Sequence, residues 1–329
     1  MQRKHLKNIK PWKTDATGRG EMSYNIPILF IVFNRIEPTK QVFERIKKIQ
    51  PKYLFIAMDG PRKDVPGETE KCKEVHDWVL SQIDWDCDLK TLIREENLGC
   101  GKGPAEAISW FFDQVEMGII LEDDCLPNDS FFKFMEELLI RYKDDNRIMQ
   151  ISGTNRLGKY QYKDSDQSYY FANYASEWGW GTWKRAWNLY DFEISAWEDK
   201  NVKKIIRQLF DKPTYFKFIS RILNRTFKNP KVSWWDYQWG FAKEINSGLS
   251  VVPAKNLVSN IGFGTDATHT FNIYSKFNNL PSEKMTFPLN HPNYVALDKD
   301  FEQTILDAHF SFSIRVFNFI GKIRGKLHV

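Results

Sequence analysis

The ten residues from Ile26 to Arg35, IPILFIVFNR, are almost continuously Ile, Leu, Phe and Val. Such a run without polar alternation is typical of a strand that is buried on both faces in a parallel sheet. The next apolar side chains, from Val42 to Ile49, recur at helical spacing until Pro51. The stretch therefore predicts a strand followed by a helix, the repeating unit of an α/β fold.

The same alternation continues over about the next hundred residues. Strand-like runs end at Asp59, at Asp124 and at Gly153, and amphipathic stretches separate them. Strands that alternate with helices favour a doubly wound, mostly parallel sheet with helices on both faces and right-handed crossovers.

Two further stretches have contrasting patterns. Residues 129–145 predict an amphipathic helix with Asp129 or Ser130 as its N-cap. Residues 154–200 lack a clear period and are rich in Tyr, Trp, Gly and Asp. We expect this second stretch to form loops over a cleft.

We expect a mobile basic leader at 1–25, one large domain at 26–290 and a C-terminal segment at 291–329. From Leu306 to Leu327, apolar residues recur at helical spacing with basic residues between them. This pattern predicts a helical tail, which either lies on a membrane surface or docks on the domain.

Composition narrows the class of protein. The four cysteines form neither a CxxC pair nor a zinc-like Cys/His spacing, so they indicate no disulfide framework and no structural metal. No apolar run is long enough to cross a bilayer, and the basic N-terminus lacks the apolar segment of a secretory signal. The net charge of +5 is modest, with bases enriched near both ends. We expect a cytoplasmic protein with an optional peripheral position at the inner membrane face and no nucleic-acid partner.

Three acidic residues, Glu122, Asp123 and Asp124, directly follow an aliphatic strand. Ligands of open α/β sheets bind beyond the carboxyl ends of the strands. Adjacent carboxylates repel one another unless a cation neutralises them, and Mg²⁺ or Mn²⁺ with oxygen ligands does so, also while binding a diphosphate. We interpret the trio as a metal and nucleotide site, and the alternative is an acidic loop that faces solvent.

The order of the motifs resembles the GT-A glycosyltransferases. It is most similar to the alpha-1,3-mannosyl-glycoprotein beta-1,2-N-acetylglucosaminyltransferase family and its bacterial sugar-nucleotide transferase relatives. The similar motifs are FNR (33–35), MDG (58–60), EDD (122–124), DSFF (129–132), EWGWGTWKRAW (177–187) and SWWDYQWG (233–240). The resemblance spans residues 26 to about 270 and implies a Rossmann-like GT-A fold, a divalent metal and a uridine diphosphate donor.

Residue by residue, the resemblance implies nucleotide contacts for Arg35 and Asp59. It implies donor-sugar and ribose contacts for Glu122 and Asp123, and direct metal ligation for Asp124. A metal at this place would neutralise the charge that develops on a diphosphate leaving group. Alternatively, Arg35 is the partner in a surface salt bridge and Asp59 forms the turn of its DGP sequence.

The sequence ENLGCGKG, residues 96–103, lacks the first Gly and the Ser or Thr of a Walker A loop. Its glycines suit a flexible entry to the next helix, where backbone amides and Lys102 could face the donor phosphates. The alternative is a plain helix-entry loop.

An inverting transfer needs a general base on the side of the acceptor hydroxyl. Asp236 lies among three tryptophans in residues 233–240, which could offer stacking faces for a sugar ring. The family segment has two adjacent acids, whereas Tyr237 stands in the second place here. Glu177, just before the WGWG sequence, is the second candidate, and a Trp-flanked acid can also be a structural hydrogen-bond anchor.

Residues 260–270, NIGFGTDATHT, predict a mobile loop because they are rich in Gly and Thr. GT-A enzymes often close such a loop over the donor, sometimes with a His on the metal or the diphosphate. The resemblance therefore implies this role for His269, and the alternative is a structural histidine.

Together these features predict a metal-dependent inverting glycosyltransferase that uses a UDP-sugar, with UDP-GlcNAc as one candidate. The acceptor would be a carbohydrate or lipid-linked glycan of capsule or lipopolysaccharide synthesis. A nucleotidyltransferase that makes the activated sugar is one alternative, although it would normally carry a Gly-rich basic loop where FNRIEPTKQ has no Gly. A non-enzymatic glycan or nucleic-acid binder is another, but it would not need the acidic trio.

Overall fold

The computed structural model describes residues 24–161, 166–262 and 279–310. The strands are β1 Ile28–Val32, β2 Tyr53–Met58, β3 Asp88–Ile93, β4 Met117–Glu122, β5 Cys125–Pro127, β6 Ile148–Ser152, β7 Tyr169–Ala172, β8 Trp180–Trp183, β9 Leu249–Pro253 and β10 Val258–Asn260. The α-helices are α1 Ile36–Ile49, α2 Glu68–Ser81, α3 Gly99–Phe112, α4 Asp129–Arg141, α5 Lys184–Trp187, α6 Lys200–Gln208, α7 Pro213–Thr226, α8 Asp236–Ile245 and α9 Lys299–Phe310. The expected leader up to residue 23 and the tail beyond Phe310 lie outside the described residues.

A mixed sheet forms the centre of the fold, with strand order β3-β2-β1-β4-β8-β6-β9-β7. The strands β3, β2, β1 and β4 run parallel, and β6 and β9 share their direction. The strands β8 and β7 run the opposite way. The expected α/β class, a mostly parallel sheet flanked by helices, is confirmed.

The strand β1 is buried because helices cover both faces of the sheet. Ile28 and Phe30 pack with side chains of α1, α2 and α4, whereas Leu29 packs on the other face with α3 and α8. All three side chains are fully buried. Each such burial contributes roughly 1.5–3 kcal/mol, so the continuous apolar run stabilises the middle of the fold.

One central strand lies where the sequence predicts loops. The strand β8, Trp180–Trp183, pairs antiparallel with both β4 and β6. At Gly181 an added Cβ would lie 3.1 Å from Leu139 Cδ1 of α4, so the glycine lets that helix pack closely on the sheet. The expectation of loops throughout 154–200 is therefore wrong, because four residues of Trp, Gly and Thr carry too little periodic signal to reveal a buried strand.

The N-cap of α4 also differs from the prediction. The helix begins at Asp129, and the side chain of Asn128 accepts a hydrogen bond of 2.9 Å from the backbone N–H of Ser130. The cap is thus Asn128 rather than Asp129 or Ser130. The predicted apolar stripe of this helix is buried as expected, at Phe131, Phe134, Met135, Leu138, Leu139 and Tyr142.

The helix α9 docks on the domain. Its side chains Phe301 and Ile305 are buried against β7 and β9, and Phe310 stacks on Tyr215 of α7 with ring centroids 4.7 Å apart. Among the described residues no helix is both long and apolar enough to span a membrane.

Candidate functional site

The acidic trio and Arg35 lie at the same edge of the sheet. The strands β1 and β4 are parallel neighbours, so their carboxyl ends meet, and Arg35 follows one while Asp123 and Asp124 follow the other. The chain passes from β1 to β2 on one side and later returns to β4 on the other. A crevice where the strand order reverses in this way is where doubly wound sheets bind ligands.

An ion-pair cluster occupies this crevice. Arg35 Nη2 contacts Asp123 Oδ1 and lies 2.8 Å from Asp124 Oδ2. Burial opposes the charge of Arg35, but the two carboxylates outweigh it and raise its pKa. Asp123 Oδ2 is buried and has no hydrogen-bond partner among the described residues. One acceptor oxygen of the cluster is therefore available to a ligand.

The third acid, Glu122, has a different charge state. Burial raises its pKa to about 8, and the nearby charges of Asp124, Asp123 and Asp236 act in the same direction. The protonated form, which this shift favours, can donate a hydrogen bond. Asp236 is therefore close enough to Glu122 for its charge to act on it.

The start of the 260–270 loop covers Asp124. The strand β10 pairs antiparallel with β5, which brings Asn260 Nδ2 to 3.3 Å from Asp124 Oδ1. An added Cβ at Gly262 would lie only 1.9 Å from Asp124 Oδ2, so this position requires glycine. His269 lies outside the described residues, and its role stays a prediction.

Asp59 is tied to its own neighbourhood. It follows β2 at the same sheet edge and accepts hydrogen bonds from the backbone N–H of Gly60 and Leu98 and from Asn97 Nδ2, at 3.0–3.2 Å. Burial raises its pKa. These bonds fix the entry to α3, and nucleotide contact by Asp59 stays a prediction.

Lys102 lies in the first turn of α3 and is exposed. Its ion-pair partner within the described ranges is Glu106, one turn further on, at 3.4 Å. Nearby, Gly101 approaches the segment before α8, where an added Cβ would lie 2.3 Å from the carbonyl oxygen of Val232. The start of α3 therefore helps to place the segment that leads to Asp236.

Both candidate bases line one cavity of about 80 Å³. Asp236 is the first residue of α8, and its Oδ1 accepts a hydrogen bond from the N–H of Tyr237 at 3.0 Å. Glu177 precedes β8, whose antiparallel direction puts its amino end at the same sheet edge. Burial raises the pKa of Glu177, Lys243 opposes the shift and Asp236 adds to it. The two carboxylates are thus electrostatic neighbours.

The tryptophans near Asp236 mostly belong to the core. Trp235 and Trp239 are buried and pack on Trp180, with ring centroids 5.7 and 5.6 Å apart. Trp234 is half-buried, and its Nε1 donates to Thr226 Oγ1 at 2.9 Å. The expected stacking faces for a sugar ring are therefore absent at Trp235 and Trp239, because the core already occupies both.

The sequence analysis missed Arg156, which lines the same cavity. Its Nη1 donates to the Tyr174 hydroxyl at 3.1 Å and lies 3.1 Å from His309 Nδ1, and its guanidinium stacks on Trp178 at 4.6 Å. The sequence did contain a signal for this residue. Arg156 follows the buried strand β6 within four residues, just as Arg35 follows β1. Arg156 places a cation at the cavity that Asp236 and Glu177 also line.

The carboxylates fit a hard divalent cation. Such ions take oxygen ligands, and Mg²⁺ is commonly held by one or two carboxylates together with substrate phosphates and water. Asp124 and the unpartnered oxygen of Asp123 supply donors of this kind. Over the described ranges no three His, Cys, Asp or Glu side chains are grouped as a metal cage. The residues present thus suit an ion that is shared with a phosphate ligand.

No protein-family model matches the chain, and no curated protein matches its sequence. Among solved structures, the mannosyltransferase PcManGT from Pyrobaculum calidifontis in complex with GDP-Man and Mn²⁺ is similar at 13% identity over 71% of this chain and 73% of that chain, with a TM-score of 0.32. The 4-diphosphocytidyl-2C-methyl-D-erythritol synthase from Anaerococcus prevotii is similar at 7% identity over 50% and 74%, with a TM-score of 0.29. HddC from Yersinia pseudotuberculosis is similar at 8% identity over 49% and 77%, with a TM-score of 0.29. Likenesses of this size carry no information on activity, so the function is inferred from the site residues themselves.

Proposed function

We propose that this protein is a metal-dependent glycosyltransferase that moves a sugar from a nucleoside diphosphate to a carbohydrate acceptor. One observation carries the proposal. Arg35, Asp123 and Asp124 meet at the switch point of the sheet, and Asp236 lies close enough to influence the pKa of Glu122 beside them. An anion-binding cation, metal-binding oxygens and a separate carboxylate are the groups that such a transfer needs.

On the donor side, Asp124 holds the metal and Arg35 binds a phosphate of the donor. A divalent cation bound there would offset the negative charge that develops on the departing diphosphate. Glu122 and Asp123 contact the donor sugar and the ribose. Asp59 and Lys102 remain proposed nucleotide contacts, with the hydrogen bonds of Asp59 limiting its part to the edge of the site.

On the acceptor side, Asp236 takes the proton of the attacking hydroxyl on the face opposite the leaving group, which gives inversion. Glu177 is the reserve base. The cavity that both line provides the position of the acceptor hydroxyl, and exclusion of bulk water there strengthens the electrostatic interactions.

The finer identity of the substrates is part of the same proposal. The donor is a UDP-sugar, with UDP-GlcNAc as one candidate, and the acceptor is a glycan of capsule or lipopolysaccharide synthesis. His269 contributes to the metal or the diphosphate. The protein works in the cytoplasm, with a peripheral position at the inner membrane face.

Calorimetric titration with UDP, with and without Mn²⁺, tests the donor side. We expect Mn²⁺-dependent binding in the parent protein and its loss in Asp124→Asn, with Asp129→Asn as the control because Asp129 is an exposed acid nearby. Equal UDP binding in the presence of a chelator would contradict the proposal.

Hydrolysis of UDP-, GDP- and dTDP-sugars with Mn²⁺ then identifies the donor. Release of nucleoside diphosphate supports glycosyl transfer. Release of pyrophosphate from a nucleoside triphosphate and a sugar phosphate would instead identify a nucleotidyltransferase. Binding of a glycan without any turnover would indicate a non-enzymatic binder.

A further inference from the structure

The helices α6 and α7 carry an unusual concentration of positive charge. Residues 200–231, which we call the α6–α7 basic segment, contain ten Lys or Arg residues and one Asp, a net charge of +9. The whole chain carries +5, so all other residues together carry −4. This segment is therefore a concentrated positive region of the chain, in addition to the basic residues near both ends.

Most of these bases face solvent without a carboxylate partner. Lys212 pairs with Asp307, and Lys228 pairs with Glu198 at 3.0 Å. Within the described ranges the other eight have no carboxylate within ion-pair distance. Unneutralised bases of one sign repel one another, so an arrangement of this kind is suited to an anionic partner.

Apolar side chains are exposed among the bases. Ile205 of α6 is 50% exposed, and Phe218 of α7 is 37% exposed. On α7, Lys217, Phe218 and Arg221 are all exposed, and the ring of Phe218 also packs against Phe310 with ring centroids 5.0 Å apart. A helix that presents apolar side chains flanked by Lys and Arg is typical of one that lies at the boundary between lipid headgroups and acyl chains.

The inner side of α7 reaches the candidate active site. Ile219 and Leu223 line the cavity that contains Asp236. The end of α7 is also joined to the segment before α8, because the guanidinium of Arg225 lies 5.0 Å over the ring of Trp234. A partner on the outer side of α7 would therefore be one helix thickness away from the cavity.

We propose that the α6–α7 basic segment docks on a bilayer that contains anionic lipids. The bases contact the lipid headgroups, while Ile205 and Phe218 enter the layer beneath them. A soluble polyanion would use the charge but would gain nothing from the apolar side chains, which is why a bilayer is favoured. The segment does not include the C-terminal tail, and the proposal can be tested whether or not the proposed transfer is correct, because lipid binding is measured without turnover.

Flotation of the full-length protein with vesicles tests the proposal. We expect binding to vesicles that contain phosphatidylglycerol and none to pure phosphatidylcholine. Each base near an anionic surface contributes about 1 kcal/mol, so the combined change Lys204→Gln, Lys217→Gln and Arg221→Gln is expected to weaken binding by about 100-fold.

A matched control removes the same charge elsewhere. The combined change Lys63→Gln, Lys71→Gln and Lys73→Gln neutralises three exposed bases on and just before α2, and we expect it to reduce binding by no more than a few-fold. Equal losses in the two triple variants would overturn the proposal, since only the net charge would then matter. Full binding by the α6–α7 variant would also overturn it.

The variant Ile205→Ser separates lipid from a soluble polyanion. We expect it to weaken vesicle binding several-fold and to leave binding of inorganic polyphosphate unchanged. If Ile205→Ser binds vesicles like the parent protein, and polyphosphate competes with the vesicles completely, the partner is a polyanion and the bilayer proposal is wrong.

Discussion

The two sides of the candidate site are built differently. On the donor side, Arg35 and Asp124 follow adjacent parallel strands, and the register of β1 with β4 fixes their separation. On the acceptor side, Asp236 stands at a helix start and Glu177 in a loop. Strand ends are held by the apolar core, whereas the acceptor side relies on polar contacts beneath the cavity. We therefore expect the two sides to respond differently to mutation and to pH.

A buried lysine is central to the acceptor side. Lys243 is 1% exposed, and its Nζ donates to Ser250 Oγ at 2.9 Å and also contacts Gln150 Oε1. Burial lowers its pKa, and the carboxylates of Glu177 and Glu302 act in the opposite direction. A buried network of this kind is stable only while every member keeps its partners.

The largest expected effect is on turnover at the acceptor side. Asp236→Asn should lower kcat by about 100- to 10,000-fold, because a positioned general base contributes that much. Donor binding should stay unchanged, since Arg35 and Asp124 are untouched. Single-turnover transfer and UDP calorimetry measure the two quantities separately.

Glu177→Gln is the matched control for that variant. It removes the neighbouring carboxylate of the same cavity and should cost less turnover than Asp236→Asn. If Asp236→Asn retained full turnover and Glu177→Gln did not, the base would be Glu177.

A buried acid near the acceptor side, Glu302, should also make the stability of the protein depend on pH. Burial raises the pKa of Glu302 to about 7, against 4.5 for an ordinary Glu. Between pH 4.5 and pH 7 the folded state holds a proton that the unfolded state has lost. The contribution of Glu302 to stability is therefore complete below pH 4.5 and is lost as the pH rises through 7. In the parent protein the free energy of unfolding should fall as the pH rises from 5 to 7. In Glu302→Gln this fall should be smaller by about 1.4 kcal/mol per pH unit.

Urea unfolding at several pH values measures that slope. The exposed Glu70 on α2 provides the control, because Glu70→Gln should leave the slope unchanged. A parent protein whose stability does not change between pH 5 and 7 would show that the buried acids of the acceptor side are solvated more than their positions indicate.

On the donor side, Gly262→Ala should weaken Mn²⁺-dependent UDP binding by about 10- to 100-fold. The added Cβ would overlap Asp124 Oδ2 and displace it from Arg35, and disturbing the residues that orient a metal ligand typically costs this much affinity. Gly240→Ala is the control, because nothing lies within 4 Å of an added Cβ there. Unchanged UDP binding in Gly262→Ala would place the nucleotide away from Asp124.

The smallest expected effect concerns the helix that follows the acidic trio. Asn128→Ala should lower the free energy of unfolding by about 1 kcal/mol, the usual cost of losing an N-cap. Asp129→Ala should cost less, because its ion pair with Lys48 is exposed. Thermal unfolding of the two variants decides between the cap seen in the structure and the one that the sequence indicated.

The sequence predicted the neighbourhood of Arg35 and the acidic trio well. The apolar run at Ile26–Arg35 and the aliphatic strand before Glu122 are long enough to show their period without tertiary information. Carboxyl ends of parallel strands gather at one edge, so the neighbourhood of Arg35 and the acids followed from topology alone. The direct pairing of Arg35 with both aspartates did not follow, because side-chain reach depends on the turn geometry after β4.

The acceptor side was predicted poorly for a physical reason. The strand β8 has four residues, and its burial comes from partners distant in the sequence, such as Leu139 and Gly118. Whether Trp235 faces a ligand or the core likewise depends on Trp180, which lies over fifty residues away. Long-range contacts of this kind override the local pattern.

Because β8 lies between β4 and β6, the cavity and the crevice at Arg35 can change separately during evolution. The loop from residue 173 to residue 179 enters β8 beside the cavity, whereas Arg35 and Asp124 are placed by β1 and β4 and by Gly262 after β10. Substitutions at the loop residues that line the cavity, such as Asn173, Tyr174 and Glu177, can therefore reshape the pocket while the crevice at Arg35 keeps its form. Under the proposed function, relatives of this chain with different acceptors are expected to differ most at these lining residues.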